Sequence, residues 1–556
     1  MRFSAIAIVL YAAAVHCAGA ALADTLIDNV DGFTLDRNAR IERFSGLLIG
    51  DDGRIVQVLQ RGDKRPGNVD YLLDGQARVL MPGLIDSHIN LIELGFSYLT
   101  LDLSTARSLS DAQSRIAAYA AAHPDRAWIL GRGWDQAGWA SGKAPTAADL
   151  DQATGGRPAW LVSADGHSGW ANTAAMTAAG LAATTRDPPG GRIERATAGG
   201  KPTGILVETA MALVENSVPS PRPEDRDLAL AAAQEAIVKQ GITAVSDMGT
   251  TIEDWQSYRR AGDAGTLRIR IMAYAAGTED MSLIGGPGPS PWLYDDRLRL
   301  NGVALSLDGT LASRGAWLKS PYADAAGATG LPRMDETRLR NLLSRAAIDR
   351  FQVAIEANGD AAGGAVLDAV QELAGTYTGD RRWRIEGLQA FQAADLQRFS
   401  ATGSIASVQP AGLVPALAER RLGPARSGDA FRWASFASAE VQTVLGSGAP
   451  AAALSPLGIF ALVTTRQDAS GLPSGGWQGQ ERLTREAALA AFTAGAAYAG
   501  FAEGRFGRLS VGQRADFILL DRDPLIAGSG ELQAVQVLET WIGGRRAWAA
   551  ARPNVK

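Results

Sequence analysis

From Asp24 to about Leu80 the apolar residues come in short runs broken by turn formers, which predicts strands. Leu47-Leu48-Ile49 and Ile55-Val56-Gln57-Val58 flank Gly50-Asp51-Asp52-Gly53, a turn signal that predicts a hairpin. The same character returns near the C-terminus, at 515–520, 535–538 and 541–545. Two strand-rich ends around a different middle predict one small β-sandwich built from both chain termini.

In the middle, the hydrophobic period lengthens to that of helices. A stretch from Pro223 to about Gln240 opens with acidic residues, ends with Lys239 and stops at Gly241, as the helix dipole and C-cap rules favour. Leu339, Leu342, Leu343 and Ala346 mark a second helix by their i, i+3, i+4, i+7 spacing. Each such stretch feeds a short apolar run. Eight runs are predicted as strands: 79–88, 242–247, 268–275, 300–307, 351–358, 383–389, 404–409 and 441–447. Eight βα-type repeats predict an α/β fold of the (β/α)₈ TIM-type barrel class, whose chemistry lies at the C-terminal strand ends. The expected layout is residues 24–80 and 501–556 for the sandwich and 81–500 for the barrel. An insertion rich in Trp, Gly and Pro is expected at about 127–221. Residues 285–291 read as a mobile loop.

Composition changes this picture little. Of the 556 residues, 46% are hydrophobic and 20% charged, an ordinary globular balance, and the formal charge of −5 offers no footprint for nucleic acid. The first 23 residues do change it. Arg2, an apolar stretch at 6–15 and Ala21-Leu22-Ala23 read as a cleaved secretory signal, too short for an anchor. The mature chain would then be periplasmic or secreted, without a membrane span. The sole cysteine, Cys17, lies in that segment, so no disulfide is expected. Of the four histidines, only His88, His123 and His167 would remain.

The sharpest motif is Met81-Pro82-Gly83-Leu84-Ile85-Asp86-Ser87-His88-Ile89-Asn90. A strand ending in His-x-His aims two imidazoles from one face; here the second position is Asn90. Further motifs follow in order: Gly131-Arg132-Gly133-Trp134-Asp135, Asp165-Gly166-His167 with Trp170 and Asn172, and Pro202-Thr203-Gly204-Ile205-Leu206-Val207-Glu208. Then come Leu307-Asp308-Gly309, Gly359-Asp360-Ala361, Arg384-Ile385-Glu386 with Gln389, Val408-Gln409-Pro410, Gly446-Ser447 with Ala449-Pro450, and Gly512-Gln513-Arg514-Ala515-Asp516.

In this order, the motifs make the chain resemble the amidohydrolase superfamily, specifically its amidohydrolase-3 branch, over nearly its whole mature length. The resemblance implies a metal-dependent barrel that hydrolyses C–N bonds other than peptide bonds. It also implies a metal centre built from a His-x-His, a strand-four lysine, histidines on strands five and six, and a strand-eight aspartate. Carried over position by position, only His88 matches. The other places hold Asn90, Ala304, Glu356, Gly387 and Gly448, and a further family histidine is replaced at Gly412.

Alanine and glycine offer no donor to zinc or a similar ion, and a neutral Asn oxygen is a weak one. The expectation is therefore no metal and no cofactor. Metal-bound water has a pKa of about 7 against about 15.7 in bulk, a gap worth roughly 12 kcal/mol at neutral pH. No single side chain replaces that.

What remains is read in pairs of alternatives. His88 is a hydrogen-bonded histidine of the barrel mouth, a substrate contact, or a ligand to one residual ion. Glu356 and Glu386 are a catalytic acid–base pair with carboxyl groups raised by their neighbours, or polar fillers, one of them a partner for Arg384. His167 is expected to orient a substrate, with Trp134 and Trp170 as apolar walls or as packing. Asn90, Gln389 and Gln409 are candidate substrate contacts. Asp308 is either another or a turn former beside glycine. The small residues at 304, 387 and 448 predict an enlarged mouth.

Three functions are consistent with this: a small-molecule binder or metal-free acid–base protein, an active hydrolase of amide- or ester-like substrates around His88, Glu356 and Glu386, or a structural protein with the sandwich supporting a homodimer.

Overall fold

The computed structural model describes residues 24–136, 139, 145–196 and 200–551. Residues 1–23, read from sequence as a secretory signal, lie outside the described residues. An eight-stranded parallel sheet forms the centre, its strands Leu84–Ile89, Ile242–Thr250, Arg270–Ala276, Leu298–Ser306, Gln352–Ala357, Arg384–Gly387, Ile405–Val408 and Thr443–Leu445. Neighbours pair in sequence order, as βα connections of one hand require. The ring closes where Gly448 N donates to His88 O (2.9 Å) and Asn90 N to Ala449 O (2.9 Å). This is the expected barrel.

The reason each run becomes a strand is burial on both faces. Ile85, Ala244, Met272, Tyr274, Ala354, Ile405 and Val444 share one cluster. Residues between them, such as Ile271, Val353 and Ile355, join Leu339, Leu343, Ala346, Val366 and Val370 of the surrounding helices in another. Burying a Leu, Ile or Val side chain contributes about 1.5–3 kcal/mol. The helix Pro223–Lys239 shows the expected punctuation: Pro223 in its first turn, Glu224 and Asp225 beside it, Lys239 in the last, and Gly241 at φ +77° just beyond.

The terminal segments form one seven-stranded sheet, which includes Thr25–Leu35, Ile41–Ile49, Ile55–Leu59, Tyr71–Pro82, Phe517–Leu520, Val537–Ile542 and Arg545–Ala549. The predicted hairpin is present, with Leu48 opposite Gln57. The sheet curls so that Ile55 N at one end donates to Gln513 O (2.8 Å) beside the other, enclosing Ile27, Leu47, Ile55, Leu80, Phe517 and Trp541. One boundary differs from expectation. Residues 79–82 belong to this sheet, paired with Phe517–Leu520, and the barrel strand begins only after Gly83. A continuous apolar run hid the change of sheet.

Barrel and terminal sheet are joined by a buried ion pair. Asp516, the end of the Gly512–Asp516 motif, receives Arg270 Nε (2.6 Å) and Nη2 (2.8 Å), both side chains almost fully enclosed.

The insertion has its own six-stranded sheet, starting at Leu101–Asp102 and ending with Pro202–Glu208, so it begins earlier in the chain than expected. Residues 285–291 are tied down, since Ser290 N donates to Leu300 O (3.1 Å) and Leu300 N to Ser290 Oγ (2.8 Å). Among the described residues no helix is long and apolar enough to cross a membrane.

Candidate functional site

The C-terminal strand ends gather His88, Ser306, Glu356, Glu386 and Gln409. His88 Nδ1 lies 2.8 Å from Glu386 Oε2, and the same oxygen accepts from Gln409 Nε2 (3.2 Å). Glu386 Oε1 accepts from Arg384 Nε at 2.7 Å. Arg384 is fully enclosed and spends its other donors on Ser246 Oγ (3.1 Å), Tyr274 Oη (3.2 Å), Ser407 Oγ (3.0 Å) and the Ser87 carbonyl. Residues two apart on a strand face the same way, which is why Arg384 can hold Glu386 from one layer below.

The electrostatics follow. Burial penalises the charged form of Glu386, but Arg384 and His88 outweigh it and hold this carboxyl below its ordinary range. Burial likewise opposes charge on His88, yet the bond to Glu386 and the charges of Glu386 and Glu356 raise its pKa. Glu386 is thus kept ionised and orients an imidazole. Among the described residues no hydrogen bond joins it to Glu356, with which an acid–base pair was one of the two readings from sequence. Nor is Glu356 the partner of Arg384: its Oε2 accepts from Ser306 Oγ (2.6 Å) and its Oε1 from Asn358 Nδ2 (3.1 Å).

A second histidine is handled the same way. His167 Nδ1 stands 3.1 Å from Glu208 Oε1. Burial opposes its charge, Glu208 overcomes that, and Asp165 and Glu356 add to the rise. Arg333 links insertion to barrel, with Nη1 donating to Ser306 Oγ (2.8 Å) and Nη2 lying 3.4 Å from Glu208 Oε2. The insertion therefore reaches the barrel mouth, and with it His167 of the Asp165-Gly166-His167 motif.

Other candidates are placed elsewhere. Trp134 and Trp170 are buried in the core of the insertion beside Trp139, their indole N–H groups taken by Leu161 O and Thr146 O. That placement corrects their reading as pocket walls; apolar residues on a small sheet needed a core of their own. Asp308 is fully enclosed and accepts from the backbone N–H groups of Trp317, Asn358 and Gly359, each at 2.8 Å. Burial pushes its pKa up to about 7 against those three bonds. It organises the loops of the mouth and is not a substrate contact. Gln389 does similar work, its Oε1 receiving Leu311 N (2.9 Å). Asn90 Nδ2 points to Glu93 Oε2 at 3.5 Å, while among the described residues its buried Oδ1 accepts no hydrogen bond.

The expected enlargement fails at Gly387. A Cβ there would stand 2.2 Å from Asn358 Oδ1, so the space is already occupied. Gly387 also has φ +88°, which favours glycine. Sequence reasoning missed Asn358, Ser306, Arg333 and Glu208 as parts of the mouth; Glu208 alone carried a signal, as the last residue of a quoted motif.

Comparison with known proteins gives one consistent result. The Amidohydrolase family model matches residues 72–547. The chain is 32% identical over 552 residues to Protein LONG AFTER FAR-RED 3 of Arabidopsis thaliana, covering 94% of this chain and 91% of that one. It is 27% identical over 545 residues to the N-substituted formamide deformylase of Arthrobacter pascens, covering 94% and 97%. Among solved structures, an uncharacterized metal-dependent hydrolase from Pyrococcus horikoshii OT3 superposes with a TM-score of 0.75 at 24% identity, over 91% of this chain and 99% of that one, a likeness of fold.

Proposed function

The chain belongs to the amidohydrolase family, and from that premise we propose that it is an exported member that binds a polar small molecule and works without a metal centre. His88 is its acid–base group and Glu386 the residue that positions it. One observation carries this reading: Glu386, fixed by the enclosed Arg384, stands 2.8 Å from His88 Nδ1. A carboxylate there fixes the tautomer and leaves Nε2 as the nitrogen that exchanges a proton with a bound molecule or water.

The donor set argues against a family-type metal site. Ala304, Gly387 and Gly448 have nothing to offer an ion, both oxygens of Glu356 are engaged, and Asn358 fills the space at Gly387. Among the described residues no group of three or more His, Cys, Asp or Glu side chains is placed to hold an ion.

On this reading, His88 takes a proton at Nε2 while Glu386 remains an anion and stabilises the imidazolium. His167, backed by Glu208, and Glu356 supply polar contacts around it. The deformylase relative makes N-substituted formamides the first compounds to screen.

The test is elemental analysis of protein purified without chelators, joined to a binding and turnover screen of wild type and His88→Gln. Metal well below one equivalent, with binding or turnover that His88→Gln removes, supports the proposal. Stoichiometric zinc, manganese or iron, or activity untouched by His88→Gln, overturns it.

A further inference from the structure

Beside the His88–Glu386 pair, the mouth holds a serine hydroxyl already bonded to a base. Ser306 ends the strand Leu298–Ser306 and lies directly opposite Glu356 of the neighbouring strand. Paired strands pleat in phase, so hydroxyl and carboxylate share the face that carries Glu386 one strand further on. That face is open. Ser306 and Glu356 are half-buried, and Ala304, one layer deeper on the same face, is still partly exposed.

Ser306 Oγ donates to Glu356 Oε2 at 2.6 Å, while the other acceptor within reach, Asp308 O, is farther at 3.2 Å. So short a contact marks a charge-assisted bond, with the hydroxyl proton directed at the carboxylate. The base is itself held. Glu356 Oε1 accepts from Asn358 Nδ2 (3.1 Å), and Asn358, 2% exposed, is fixed by its backbone N–H on Asp308 Oδ1 (2.8 Å). A hydroxyl, a base and a third group that orients the base form the arrangement that activates serine for acyl transfer. Arg333 completes it, with Nη1 donating to Ser306 Oγ at 2.8 Å. A cation there stabilises the negative charge that develops as the oxygen attacks a carbonyl.

We propose that Ser306 is a catalytic nucleophile that takes the acyl group of a small amide or activated ester, with Glu356 as its base and Arg333 as the cation beside the developing charge. The inference rests on the metal-free reading of this mouth, with His88 as its acid–base group. In the first half-reaction the Oγ–acyl bond forms and the hydroxyl proton passes to Glu356. The C–N bond then breaks, and the leaving nitrogen takes the proton of the His88 imidazolium. In the second, water gives a proton to the now neutral His88 while its oxygen bonds the acyl carbon. The Oγ–acyl bond breaks, and Oγ recovers the proton held by Glu356. Acid and amine leave, and each group regains its first state.

The activated ester p-nitrophenyl acetate tests this, because its leaving group departs without needing a proton. Release of p-nitrophenol is followed, and acetylated peptides of the quenched protein are mapped by mass spectrometry. His88→Gln should release a burst near one equivalent and retain acetyl on Ser306, whereas wild type should turn the adduct over. Ser306→Ala should lose burst and adduct in either background, and Glu356→Gln should slow acetylation at least tenfold at unchanged circular dichroism. A serine that only braces the insertion would stay unacetylated in folded wild type and His88→Gln alike. That result, or release from Ser306→Ala as fast as from its parent, overturns the proposal. If release then still depends on His88, the acid–base reading stands without Ser306; if it depends on neither residue, both fall.

Discussion

Replacing Glu386 by Gln keeps the volume of the side chain and removes its charge. The consequence falls first on Arg384, a fully enclosed guanidinium whose remaining partners are the neutral groups of Ser87, Ser246, Tyr274 and Ser407. Removing one member of a buried pair costs about 3–5 kcal/mol, and those neutral acceptors place this case near the lower end. The second consequence falls on His88, whose pKa falls because burial is then opposed mainly by Glu356.

The pH dependence has a definite sign. In wild type, the raised pKa of His88 contributes stability that is full below about pH 6.5 and lost as pH rises through the folded value. The lowered pKa of Glu386 contributes stability that is full above about pH 4.3 and lost as pH falls through its folded value. The gap between wild type and Glu386→Gln is therefore widest between about pH 5 and 6.5, where both groups are charged. Urea unfolding at intervals from pH 4 to 8 measures it, with fluorescence and circular dichroism required to agree before a free energy is assigned. Histidine-labelled NMR follows the titration of His88. A variant within 1 kcal/mol of wild type at pH 6, with an unaltered His88 titration, would refute the reasoning.

Two further perturbations follow from the same geometry. Arg270→Met leaves Asp516 enclosed without its guanidinium, so the junction of barrel and terminal sheet should weaken by about 3–5 kcal/mol, seen as a lower urea midpoint. Gly387→His puts back the side chain expected of a strand-six ligand, but it meets Asn358 and a φ of +88°. It should destabilise by about 1–3 kcal/mol from backbone strain alone and leave metal content unchanged, as elemental analysis would report.

Much of this molecule was determined by sequence alone. Hydrophobic period distinguishes strand from helix locally, so all eight barrel strands were legible within a few residues, as were the hairpin at Gly50–Gly53 and the two-ended sheet. The residue types at the strand ends were equally plain, since alanine or glycine in place of a donor needs no coordinates to read. Tertiary structure decided what each polar side chain touches. Glu386 and His88 are 298 positions apart, and only closure of the barrel sets them 2.8 Å from each other. Glu356 and Glu386 sit opposite one another on adjacent strands, yet hydrogen bonding gives them separate partners. Trp134 and Trp170 carry the same apolar pattern whether they line a pocket or fill a core, and the insertion's need for a core of its own chose the second. Local pattern encodes which residues seek burial; the folded packing decides with whom, because pairing energies depend on distances that no local window contains.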